Sequence, residues 1–215
     1  MTTFSTFVLG SRRDAGDWES GCQGLGFRQL QSVRTGHVKL TTAQQFFRSS
    51  PEWLYMAGHY SGQELYSENN ETAVGFSKNV ISLSTMGGSA QIKKADNTFG
   101  LHKNIKLVIW GGCSLLGNDE EVTMMQDWFG PHVMLGFAGI TGWKIVQAMF
   151  GGDFIPKNSS FFARLGRNPS SDDIVNAWME TAKLGYGGVQ MENLFRAIDT
   201  KGQGWQLKNK QIMKF

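Results

Sequence analysis

The residues Ile105 to Gly117, reading IKLVIWGGCSLLG, constrain this chain more than any other stretch. Leu107, Val108, Ile109 and Trp110 form an unbroken apolar run, too short for a membrane span and rich in strand-forming side chains. The run predicts a strand buried on both faces, in the middle of a sheet. Gly111 and Gly112 end it and free the backbone to turn, and Cys113 follows at the carboxyl tip. Open α/β sheets bind ligands at that edge, so a thiol there is a candidate nucleophile. Packing is the competing explanation, because cysteine behaves as a small apolar residue and a lone one after a buried strand is commonly core.

A second stretch repeats the pattern. Trp53 to Ala57 (WLYMA) predicts another buried strand, and it too ends in glycine before one reactive residue: Gly58-His59-Tyr60-Ser61-Gly62. If the two strands are parallel neighbours, His59 and Cys113 leave the sheet at the same edge. There an imidazole can shuttle a proton to and from a thiol or a leaving amine. Gly58, Gly62 and Gly112 would let a substrate backbone approach. Amides of the Tyr60 to Gly62 segment, with that of Cys113, would be oxyanion donors. Taken alone, a histidine in a loop is usually polar surface; the matched context of the pair raises both residues above that reading.

Around these strands the chain alternates. Strands are predicted at residues 4–9, 80–84, 90–93, 132–137 and about 205–207, with a hairpin at Gly87-Gly88. A short helix capped by Thr41 or Thr42 runs through Phe46 and Phe47. A second starts at Asn118-Asp119-Glu120-Glu121 and packs through Val122, Met125, Trp128 and Phe129; a third covers 142–150. A fourth is capped by Ser170 or Ser171 and runs to about Lys183. The polar segment Ser11 to Gly16 and the glycine-rich Gly21 to Gly26 read as loop, residues 27–40 carry no clear signal, and 189–198 fit either a strand or a helix. Residues 63–104 read as a β-ribbon on the edge of the core. The expected architecture is α/β: a three-layer α/β/α sandwich around a mostly parallel central sheet, in a single domain spanning 1–215.

Composition narrows the function. The formal charge is only +3 and the basic residues are scattered, which argues against nucleic acid. No segment approaches the roughly 18 apolar residues of a membrane span, and the N-terminal residues fit neither a signal nor a transit peptide, so a reducing cytoplasm is expected, with signal-free export left open. His37, His59, His102 and His132 lie far apart, without metal-ligand spacing, and no metal or cofactor is expected. The other cysteine, Cys22, is read as structural or incidental.

The order of a strand ending in Gly-His and then a strand ending in Gly-Cys resembles the caspase-like cysteine peptidases: caspases, legumains, gingipains, separases and bacterial CHAT-type proteases. The strand HVMLGFAGITGW and the helix DDIVNAWMETA resemble the CHAT-type members most, and the likeness spans Trp53 to about Lys183. The resemblance implies a caspase-like fold and a cysteine endopeptidase acting on protein or peptide substrates. It puts the general acid/base on His59, the nucleophile on Cys113, and the primary specificity pocket on the loop from Phe137 to Trp143, where Thr141 and Trp143 would line it. Asp119 and Asp153 are acidic candidates for a basic substrate side chain, although acids also suit a helix N-terminus for electrostatic reasons alone. A regulatory protein partner or a homodimer is compatible with such an enzyme. One departure stands out: the family usually has glycine directly after the histidine, whereas here Tyr60 and Ser61 precede Gly62.

Three other readings compete with this one. A glutamine-amidotransferase-like elbow wants Gly-x-Cys-x-Gly, but Leu115 stands two beyond Cys113, and no late His-x-Glu follows. A nucleotide binder would show a glycine-rich phosphate loop after a strand, which is absent. The third, a non-catalytic caspase-fold interaction or toxin-like module with a vestigial dyad, is separated from an enzyme only by the reactivity of Cys113.

Overall fold

A computed structural model describes residues 1–10, 13–94, 104–112, 115–139, 143–151, 157–184, 195–199, 202–208 and 211–215. The chain order is β1 (Thr3–Val8), α1 (Arg13–Gly24), β2 (Arg28–Arg34), α2 (Leu40–Arg48), β3 (Trp53–Ala57), β4 (His59–Ser61), β5 (Glu64–Tyr66), β6 (Thr72–Phe76), β7 (Val80–Thr85) and β8 (Gly88–Lys93). There follow β9 (Leu107–Trp110), α3 (Asp119–Phe129), β10 (Val133–Phe137), α4 (Trp143–Phe150), α5 (Ser171–Ala182), β11 (Phe195–Asp199), β12 (Gly204–Lys208) and β13 (Gln211–Lys214).

Eight strands form one sheet in the order β13-β12-β11-β10-β9-β3-β1-β2, and five form a second in the order β4-β5-β6-β7-β8. The expected mostly parallel three-layer sandwich is overturned by this topology. Four pairings are parallel (β1–β2, β1–β3, β3–β9, β9–β10). The other seven described pairings are antiparallel: β10–β11, β11–β12 and β12–β13 in the large sheet, and all four in the small one. Connection length explains most of them, since a parallel crossover needs a dozen or more residues and β4 to β8 and β11 to β13 follow one another closely in sequence; β10 and β11 are antiparallel although α4 and α5 lie between them. The protein is a strand-rich mixed α/β fold in which a parallel centre grades into an antiparallel edge.

The central strands carry apolar side chains on both faces, as an unbroken apolar run requires. Trp53, Tyr55, Ala57, Leu107, Ile109, Val133, Leu135 and Phe137 face a core closed by α1, α4 and α5. Leu54, Met56, Val108, Trp110 and Met134 face the opposite core, closed by α2, α3 and the five-stranded sheet. That second sheet is therefore part of a core and not a ribbon decorating an edge: Leu65, Val74, Phe76, Ile81, Leu83 and Ile92 are all buried there.

Local signals account for the helix ends. Asn118 caps α3, accepting from the amides of Glu120 (2.9 Å) and Glu121 (3.5 Å), and Gly130 ends it in the left-handed region. α3 buries Val122, Met125, Trp128 and Phe129, the expected face. Ser170 and Asp173 form a reciprocal capping box on α5. α2 begins earlier than expected, after Lys39, without a side-chain cap. Among the described residues no helix is long and apolar enough to cross a membrane.

Candidate functional site

The site is built from two strand ends. β3 and β9 are parallel neighbours in register from Trp53–Leu107 to Met56–Trp110, and the amide of Gly111 donates to the Met56 carbonyl at 2.8 Å, extending the pairing one residue past β9. Both strands therefore open at the same edge, the geometry the sequence required for a histidine and a cysteine to meet. Gly112 is the last described residue before Cys113, which lies outside the described residues.

His59 begins β4 directly after Gly58. It is exposed, and its ring stacks on Tyr66 with centroids 5.6 Å apart and planes 25° apart, so β5 supports one face of the imidazole. The hairpin pairs His59 with Tyr66, Tyr60 with Leu65 and Ser61 with Glu64. Its loop is Gly62-Gln63, with φ of 59° and 66°; positive φ at both loop positions is the type I′ signature that suits strand twist. In such a hairpin the closing pair shares hydrogen bonds and the next pair does not. The Tyr60 amide thus points to the outer edge of β4, the edge strand of its sheet, while Gly62 stands at the hairpin tip with open space around it.

The glycines at this edge are needed for close approach. A Cβ on Gly58 would lie 3.0 Å from the Tyr66 carbonyl oxygen and 3.2 Å from Leu65 Cδ1. On Gly111 it would lie 2.6 Å from the Tyr55 hydroxyl and 2.8 Å from Ala57 Cβ, and on Gly112 it would lie 2.9 Å from Tyr60 Cβ. Sequence reasoning missed what lies under Gly111. The buried Tyr55 hydroxyl donates to the buried Asp14 carboxylate of α1. No sequence signal marks Asp14, which sits in a polar stretch with an unpatterned spacing.

Tyr60 is 9% exposed, and its ring lies in the core shared by β3, β9 and the small sheet. Burial, and after it the facing Glu121 carboxylate of α3, push its phenol above the ordinary tyrosine range. Asp119 is 96% exposed at the start of α3, 4.0 Å from Arg196 Nη1, so its charge already has a cationic neighbour. Arg196 is itself held by the Leu116 carbonyl at 2.7 Å. Thr141 and Asp153 lie outside the described residues; Trp143 opens α4. Cys22 is fully buried in α1, and burial, with Glu19 nearby, raises its thiol well above the usual value. It is chemically quiet. Among the described residues no three or more His, Cys, Asp or Glu side chains gather to hold a metal.

No protein-family model matches the chain, and no curated protein matches its sequence.

Proposed function

We propose that the chain is a cysteine endopeptidase that uses His59 and Cys113, a reading in line with the motif resemblance to caspase-like peptidases. The observation that carries it is the in-register parallel pairing of β3 with β9, which opens the Gly58-His59 and Gly111-Gly112 segments at one sheet edge. In this reading the Cys113 sulfur attacks a peptide carbonyl carbon, and backbone amides, that of Tyr60 among them, hold the oxyanion. The C–N bond then breaks as the His59 imidazolium gives its proton to the leaving amine, and a thioester remains. Water, deprotonated by His59, hydrolyses the thioester and returns the thiol. Substrates are proteins or peptides, and the buried thiol of Cys22 suits a reducing cytoplasm. By resemblance the specificity pocket falls on the loop from Phe137 to Trp143, with Thr141 and Trp143 lining it; Asp119 and Asp153 are acidic candidates for a basic substrate side chain.

The test is a peptide-library digest with wild type, Cys113→Ala and His59→Ala, read by mass spectrometry. Cleavage by wild type that disappears in Cys113→Ala and falls by roughly 100-fold or more in His59→Ala is expected. Cleavage that persists in Cys113→Ala refutes the assignment. No cleavage by wild type, with Cys113 alkylated no faster than Cys22, leaves the non-catalytic module in its place.

A further inference from the structure

Tyr60 stands where a peptidase of the resembled kind has glycine, and its contacts give it a role. Its Cβ covers Gly112, approaching so closely that one added methyl there would stand 2.9 Å away. Its ring is buried in the core shared by β3, β9 and the small sheet. One side chain thus ties β4, the strand that begins with His59, to the end of β9 that leads to Cys113. On the opposite face of the large sheet the Tyr55 hydroxyl, tied to Asp14, lies against Gly111. The Gly111-Gly112 segment is gripped between two tyrosines, one from each core.

We infer that Tyr60 is a positioning residue that locks the β9 tip against β4, with Tyr55 as the opposing jaw, and so fixes where the chain leaves Gly112 relative to His59. The inference rests on the peptidase reading. Its physical basis is that reacting groups must be held to well under an ångström, and misplacement by about 1 Å can cost about 100-fold in rate. Close packing transmits such a displacement, because a core cannot absorb an added methyl without moving something.

The experiment compares wild type, Tyr60→Phe, Tyr60→Ala, Tyr60→Gly, Gly112→Ala and the pair Gly112→Ala/Tyr60→Gly. It measures kcat and KM on a peptide that wild type cleaves, the iodoacetamide rate of Cys113 resolved from Cys22 by peptide mapping, and the urea midpoint. Tyr60→Phe keeps the ring packing and should lose less kcat than Tyr60→Ala. Tyr60→Ala should lower kcat by roughly 10- to 100-fold with KM little changed. Gly112→Ala should do the same, because its methyl meets Tyr60 Cβ. The pair should be no worse than Tyr60→Gly alone, since removing Cβ makes room; adding Tyr60→Ala to Gly112→Ala gives no such relief.

A folded Tyr60→Ala with kcat and Cys113 alkylation within twofold of wild type overturns the positioning role while leaving the peptidase standing. If Tyr60→Ala does not fold, Gly112→Ala decides: unchanged kcat overturns the role, and a loss that Tyr60→Gly does not compound supports it. Failure of the peptidase reading has a different signature, cleavage that is indifferent to Cys113→Ala.

Discussion

Helix α1 holds three glycines, and two of them make opposite demands on an added methyl. A Cβ on Gly21 would fall onto the Phe162 ring, overlapping its Cδ2, Cε2 and Cγ, whereas nothing lies within 4 Å of a Cβ on Gly24. Helix propensity alone makes either Gly→Ala change stabilising, by up to about 1 kcal/mol in a helix interior and less at its end. At Gly24 that gain stands unopposed, and the expected effect is a few tenths to about 1 kcal/mol of added stability. At Gly21 the ring must yield. Phe162 is 8% exposed and packed among Trp18, Phe150 and Phe161 at centroid distances of 5.5, 5.7 and 5.2 Å, so moving it away breaks those ring contacts. Overpacking of this kind costs about 1–3 kcal/mol. Set against the propensity gain, Gly21→Ala should be net destabilising by roughly 0–2 kcal/mol, leaving a gap of about 1–3 kcal/mol between the two variants. Urea unfolding followed by tryptophan fluorescence measures it, with the slope checked for constancy. In a Phe162→Ala background the same Gly21→Ala change should turn favourable. Gly21→Ala stabilising the wild type as much as Gly24→Ala would refute the reasoning and the packing of α1 on Phe162.

Two further predictions concern titration. Because the folded state holds the Cys22 thiol well above its ordinary value, chiefly by burial, its contribution to stability is present below the unfolded thiol value of about 8.5. It declines as the pH rises toward the folded value. Stability against pH should therefore fall on the alkaline side, Cys22→Ala should flatten part of that fall, and iodoacetamide should label Cys22 in urea but not in native protein. At the α5 cap, Asp173 is depressed by its hydrogen bonds from the Ser170 hydroxyl and then the Ser170 amide. That contribution is present above the ordinary carboxylate value and lost as the pH falls through the folded one. Ser170→Ala should lower stability at neutral pH by about 1 kcal/mol and soften the acid limb; a variant with the wild-type urea midpoint would show that the box does not hold the helix.

What could be read from the sequence follows from how local each signal is. β3 and the helices α3 and α5 were legible because their determinants lie within one element: a short apolar run, Asn118 before three acids, Ser170 before Asp173. The hairpin of β7 and β8 was legible from its glycines. α1 was not. Its glycines at 16, 21 and 24 read as loop because glycine is a weak helix former, and the reason for glycine at 21 is a ring contributed 141 positions later. β2 escaped because an edge strand carries a mostly exposed pattern, here with only Val33 fully buried. The sheet's antiparallel flank is not legible because β11, β12 and β13 fall in a tail with mixed signals, and nothing local in the sequence marks the reversal of β11 against β10.

The paired motif has two sources that the structure separates. Gly58, Gly111 and Gly112 each meet another group at or below about 3 Å when a Cβ is added, so packing alone accounts for the glycines after both strands. It does not account for an exposed histidine at the first position of β4, where a solvent-facing side chain has no packing duty beyond its stack on Tyr66. In the proposed peptidase reading the chemical content of the motif rests on His59 and Cys113; its structural content lies in the glycines after the strands. Substituting Gly58 reports on how β5 closes over the β3 tip; only variants of His59 and Cys113 test the proposed proton transfer and nucleophilic attack. Tyr60 joins the two parts, because its backbone offers an amide at the free sheet edge while its side chain fills the space beside Gly112 that a glycine at this position would leave empty.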